Sequence, residues 1–262
     1  TIDQPNVADE AFTPQGVKQW GSQIYHVKLQ RLAQGLMAVS QGRPPEIMAF
    51  AEVENAEVMV DLLRKLPLSW SHWILHQDSP DARGIDVAVM YDPQRIKVLQ
   101  VAWLQPKGSP SRDAVQVTFY CRKGGDSLTL LFVHLPSQRD PRPHRRLHAM
   151  QSILSQCEQV DCLVGDMNEH PKGPMGQWLQ GECMHVRDAK GPPGTYIYRN
   201  RWSWLDHVWL VDQSLWQANV RHVPFGLKKT NQRMIIHRSF QGSRYLAGSS
   251  DHLPVSIWLK PL

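Results

Sequence analysis

The sequence reads as an α/β sandwich, two mostly antiparallel sheets packed face to face with helices outside them. Most of the chain is a series of short runs that are β-branched or alternating and are bounded by turn residues. Only three stretches carry the three-and-four spacing of a helix face. Several apolar runs also end in an acid, an amide or a histidine, as strands of a layer do when their ends share one rim.

Taken in order, Tyr25, Leu29, Leu32, Leu36 and Val39 predict a helix from about Val17 to Val39, with "FTPQGVKQW" leading into it and Trp20 as its anchor. "EIMAFAEVEN" predicts a short buried strand ending at acids, and Val58, Leu62 and Leu66 a helix after it. Strands follow at "IDVAVMY", "RIKVLQVAWLQ", "AVQVTFYC" and "SLTLLFVHL". A third helix, with Leu147, Met150 and Leu154 inward, precedes "DCLVGD", "LDHVWLV" and "VSIWL". There is no repeat, low-complexity tract or long linker, so residues 1–262 are expected to form one domain.

Composition narrows the function classes. No apolar stretch is long enough to cross a bilayer, so no membrane span is expected. A net charge of +5 and a pI of about 9.1 are a mild bias toward an anionic partner. Cys121, Cys157, Cys162 and Cys183 form no C-x-x-C pair, so neither a thiolate zinc site nor a redox dithiol is indicated; buried free thiols are the expectation, and the even count also permits one or two disulfides in an exported protein.

The strand ends carry the chemistry. Glu52 follows "MAFA", His134 follows "LLFV", Asp166 and Asn168 follow "CLVG", Asp206 opens "DHVWL", and Asp251 and His252 stand in "SSDHLPV". One acid at a strand end is usually a turn residue or a helix cap. Five coincident cases call for another explanation. Asp166 and Asn168 are two apart, so an extended chain turns both toward one object. A carboxylate there can orient water, and an uncharged amide can meet a phosphoryl oxygen without repelling it.

"FAEVEN", "RGIDVAVMY", "FVHLPSQR", "VGDMN", "GTYIYRNRWSWLDHVWL" and "GSSDHLPV" together resemble the endonuclease/exonuclease/phosphatase superfamily of deoxyribonuclease I, and in particular predicted extracellular bacterial nucleases. The resemblance runs from "FTPQGVKQW" to the C-terminus. It implies a deoxyribonuclease I-like sandwich and a divalent-metal-dependent phosphoesterase, most of all an endo- or exonuclease. The alternatives are a phosphatase or phospholipase of the same superfamily and a non-catalytic nucleic-acid-binding relative.

By position, the resemblance gives Glu52 as a ligand of Mg2+ or Mn2+, with Asp251 beside the metal. His252 becomes the central histidine and Asp206 the acid that fixes its tautomer. Asp166 would orient or deprotonate water, Asn168 would hold phosphate, and His134 would contact phosphate with Asp86 as its partner. The base stays open between His252 and Asp166. Glu54 is the lesser ligand, because strand alternation turns it away. The family's first strand, with its N-x-x-N motif, is absent from this chain, and a longer chain is expected to carry it. The resemblance also implies a nucleic-acid substrate, a monomer, and a secreted or periplasmic location, with the cytoplasm left open.

"RDPRPHRRLH" supplies Arg139, Arg145 and Arg146, candidate contacts to a phosphate backbone; the bland alternative is a solvated helix start. Trp202 and Trp204 flank Ser203 just before Asp206, where core packing is the better expectation than base stacking.

Overall fold

The computed structural model describes residues 7–107, 111–140, 142, 144–230 and 233–262. After turns at residues 13–20, helix α1 (Ser22–Val39) leads to β1 (Ile47–Val53), α2 (Ala56–Leu63), β2 (Trp73–Leu75) and β3 (Asp86–Tyr91). Then come β4 (Ile96–Leu104), β5 (Ala114–Cys121), β6 (Ser127–His134), α3 (Arg145–Leu154), β7 (Cys162–Asp166) and α4 (Pro174–Leu179). The remainder is β8 (Met184–Val186), β9 (Tyr196–Tyr198), β10 (Arg201–Ser203), β11 (Asp206–Leu210) and β12 (Trp216–His222). Short hairpins β13 (Leu227–Thr230) with β14 (Arg233–Ile236), and β15 (Phe240–Gln241) with β16 (Arg244–Tyr245), precede β17 (Val255–Pro261).

The larger sheet has the order β4-β5-β6-β7-β11-β8 and is antiparallel except at β6–β7. Opposite it lie β1-β3-β2 and the pair β12-β17, both antiparallel. Inner residues of both layers, among them Val89, Phe119, Phe132, Val208 and Val220, form the central core. The larger sheet's outer face packs Leu163 and Trp209 against Met150 and Ile153 of α3 and Met175 and Leu179 of α4. Leu29 and Ala33 of α1 and Met59 and Leu62 of α2 cover the outer face of β1 and β3 at Met48, Ala88 and Met90. Each such fully buried leucine or phenylalanine is worth about 1.5–3 kcal/mol.

The expected sandwich is therefore present, with shifts at element ends. The first helix begins at Ser22 and not near Val17, because Pro14 and Gly16 instead build turns in which Gly16 N and Trp20 N donate to Thr13 O. Trp20 does anchor this start: its ring lies 6.1 Å from Phe12 and 5.9 Å from Phe240. Gly35, inside α1, admits the Phe225 ring, which a Cβ there would meet at 2.7 Å. β1 pairs only with β3 and β17 only with β12, so among the described strands each has an unpaired edge.

Candidate active site

Register alone aligns the central carboxylates. In the parallel β6–β7 pair His134 lies opposite Asp166, and in the antiparallel β7–β11 pair Asp166 lies opposite Asp206. Three adjacent strands thus end side by side in His134, Asp166 and Asp206. Gly165 makes this approach possible: at φ 142° a side chain is strained, and a Cβ would stand 2.0 Å from the Val133 carbonyl oxygen. The last member arrives from the segment before β17, where His252 bridges to Tyr196 and Leu253 N donates to Thr195 O.

His252 Nδ1 lies 2.7 Å from Asp206 Oδ2. Donor atoms of Asp166, Asp206 and His252 all fall within 4.8 Å of one another. Burial by itself would lower the His252 pKa, but the Asp206, Asp166 and Asp251 carboxylates outweigh it and raise it to about 10. Burial and the charge of Asp206 push Asp166 up to about 7, with Glu52 adding to the repulsion. Asp206 moves down: burial opposes this, and His252 together with Thr195 overcomes it.

Asn168, at φ 52°, closes the turn after β7. Its backbone N–H donates to Asp166 Oδ1, and its Nδ2 donates to Asp166 Oδ2 at 3.1 Å and to Leu135 O at 3.0 Å. Both amide hydrogens are used inside the protein, so Asn168 orients Asp166 in this geometry and has no free donor for phosphate. His134 Nε2 stands 3.5 Å from Asp166 Oδ2, while burial, then Arg112 and Arg83, hold its pKa well below the usual range.

The expected pairing of His134 with Asp86 is not what the structure contains. Asp86 Oδ2 faces His76 Nε2 at 3.2 Å and Asp86 Oδ1 accepts from Ser79 N, because the loop after β2 reaches that carboxylate first. His134 Nδ1 is buried without a hydrogen-bond partner.

Glu52 sits at a bulge in β1, at φ 60°, where the register with β3 shifts between Ala51 and Val53. The bulge, and not simple alternation, gives it its direction. Its charge is felt by Asp166 and by Lys28, whereas that of Glu54 is felt by Tyr25 between α1 and α2. Asp251 acts on both His252 and Lys28. The hard carboxylate oxygens of Glu52, Asp251 and Asp166 suit Mg2+ or Mn2+. The mutual repulsion that lifts Asp166 is what a cation would relieve. A second cluster of potential donors, His76, Asp78 and Asp86, lies at the start of β3.

Sequence reasoning missed three contributors. Lys28, on the buried side of α1, donates to Ser239 Oγ at 2.9 Å; burial lowers its pKa against the pull of Asp251 and Glu52. Arg112 is 4% exposed and binds His134 O, Leu135 O and Asp81 Oδ2, which ties down the strand end that Asn168 also holds. Thr195 Oγ1 accepts from the backbone N–H groups of Leu205 and Asp206. Nothing local to Lys28 or Arg112 marks them, since both act through neighbours far along the chain; Thr195 lies within the quoted "GTYIYRNRWSWLDHVWL" segment, but its contact with Leu205 and Asp206 appears only in the fold.

The basic stretch is largely occupied. Arg145 pairs with Asp140, Arg142 also pairs with Asp140, and Arg146 Nε meets Glu169 Oε1 at 3.2 Å, which leaves Arg139 exposed. Trp202 packs beside Ile197, Ile236 and Leu253, as expected. Trp204 does not join a core: it stands 4.6 Å from the His222 ring and walls a cleft of about 320 Å³. All four cysteines are free thiols, and burial raises Cys157 to about 11 and Cys162 to about 12, far from thiolate chemistry at neutral pH.

Among solved structures, a functionally unknown conserved protein from Enterococcus faecalis is similar over 98% of this chain and 97% of its own, at 16% identity and a TM-score of 0.67. A mannosyl-6-phosphatase from Bacteroides thetaiotaomicron matches over 90% and 91%, at 13% identity and a TM-score of 0.62. The human Nocturnin catalytic domain with bound sulfate matches over 99% and 92%, at 14% identity and a TM-score of 0.60. No curated protein sequence matches. At these identities the structures establish the fold, and the sequence profile of the endonuclease/exonuclease/phosphatase family matches residues 1–261, so the chain belongs to that family.

Proposed function

We propose that the protein hydrolyses phosphodiester bonds with a divalent cation and that its substrate is a nucleic acid, cut as an endo- or exonuclease. The observation that carries this reading is the His252–Asp206 pair, held at 2.7 Å beside Asp166 at the ends of adjacent strands. The three activities in the family's name all act on phosphate esters, which supports the reaction class.

Water attacking a phosphodiester must lose a proton while the leaving oxygen gains charge or a proton. Asp166, whose two carboxylate oxygens are oriented by Asn168 beside His252 and Asp206, is placed to accept the proton. His252, kept protonated by Asp206, is suited to stabilise or protonate a phosphate oxygen. Asn168 fixes the orientation of Asp166, and neutral His134 can donate one hydrogen bond. Glu52 and Asp251 would hold Mg2+ or Mn2+, which when bound offsets negative charge on the phosphoryl oxygens.

A panel of plasmid DNA, single-stranded RNA, inositol phosphates and sphingomyelin with Mg2+ or Mn2+ tests the substrate. Cleavage of the polynucleotides is expected. Turnover of only a monoester or headgroup would transfer the assignment to the second reading, a phosphatase or phospholipase, which the ion-paired state of Arg145 and Arg146 favours.

A further inference from the structure

Beyond the strand ends, a cleft of about 810 Å³ opens between the loop after β8 and strand β12. Its apolar floor is Val186, Ala218 and Val220, which belong to the inner face of the sandwich. Its walls carry Arg187 and Lys190 on one side and Arg221 on the other, all exposed. Among the described residues, no carboxylate forms an ion pair with any of these three cations. The one acid in the lining, Asp188, is engaged by backbone N–H groups of Lys190 and His222.

His222 also lines the cleft, is 4% exposed, and leaves Nδ1 without a partner. A buried nitrogen of this kind ordinarily meets a hydrogen-bonding group. One end of the cleft adjoins the catalytic strand ends. The charge of Asp206 reaches His222, the Trp204 ring contacts His222, and Val223 N donates to Pro254 O, two residues past His252.

We infer that this cleft holds the phosphates of a polynucleotide strand leaving the active site, with Arg187, Lys190 and Arg221 as the backbone contacts. The inference rests on the phosphoesterase reading and adds the path of the substrate. Cations without an ion pair among the described residues, spread along a cleft whose one end adjoins the strand ends, match a repeating anion. A lone headgroup would engage only the end nearest His252. The volume lies at the upper end of the range for ligand pockets, roughly 300–1,000 Å³.

The test measures binding of a short fluorescein-labelled oligothymidylate across a salt series, in EDTA so that no strand is cut. Each phosphate contact on a single strand contributes about 0.7 to the log–log salt slope, so the triple variant R187A/K190A/R221A should flatten it by about two units. Affinity at low salt should fall at least about tenfold. The variant K97A/R122A/K123A makes the same change in net charge near the opposite edge of the sheet and should keep the wild-type slope. An unchanged slope in the first variant, or equal losses in both, overturns the inference, as does preferential binding to anionic phospholipid vesicles. If the triple variant fails to fold, Arg187→Gln and Arg221→Gln alone must each lower the slope in the same direction. Hydrolysis of bis(p-nitrophenyl) phosphate by the wild-type protein is read separately. Its absence with either cation defeats the phosphodiesterase reading, while the slope still judges the cleft.

Discussion

At the scale of residues, the His252–Asp206 pair makes a prediction about pH. The folded His252 value of about 10 lies above the unfolded value of about 6.5, so the protonated histidine binds its proton more tightly in the folded protein. The stabilisation is complete below about pH 6.5 and is lost as pH rises through about 10. In EDTA, Asp206→Asn should therefore melt below the wild type in mild acid, and the gap should close in alkali. A gap that widens with pH would contradict the assigned charge states. Lys28 predicts an effect on metal affinity. Its ammonium acts on both Glu52 and Asp251 and so opposes a divalent cation there. Coulomb energies of ~1–2 kcal/mol over several ångströms give Lys28→Met about tenfold tighter Mn2+ binding by calorimetry. Weaker binding would mean that the lysine helps to build the site.

Secondary-structure elements show how much was readable and why the rest was not. Strand ends at His134, Asp166 and Asp206 were legible because alternation and turn residues are local signals, and register then brings them together. The partner of Asp86 was not, since it depends on the path of the loop that carries His76. The bulge at Glu52 was hidden for a related reason: it is a property of the β1–β3 pair and leaves no mark on β1 alone. The arginine stretch contained its own answer in part. Asp140 stands within it and takes Arg142 and Arg145, while Glu169 takes Arg146 from a distant loop. A prediction at this scale concerns Gly165, where β6 and β7 touch. Gly165→Ala forces its Cβ against the Val133 carbonyl oxygen and should cost ~3 kcal/mol or more in urea unfolding, within the range of severe backbone and packing defects. A loss below ~1 kcal/mol would show that the two strands can separate without penalty.

For the whole molecule, the sandwich gathers one set of groups at one rim: an acid that titrates near neutrality, a histidine held charged, and carboxylates suited to a hard cation. Its basic excess is small, and a sum of charges could not reveal where it matters. The central claim is that this rim hydrolyses phosphodiesters with a divalent cation. Its most direct test is turnover of bis(p-nitrophenyl) phosphate by wild-type protein and His252→Ala, each with Mn2+ and with EDTA. Turnover with Mn2+ should vanish in EDTA, return when Mn2+ is restored, and fall about a hundredfold or more in kcat in the variant with KM nearly unchanged. Turnover that survives EDTA, or a His252→Ala protein as fast as the wild type, would contradict it.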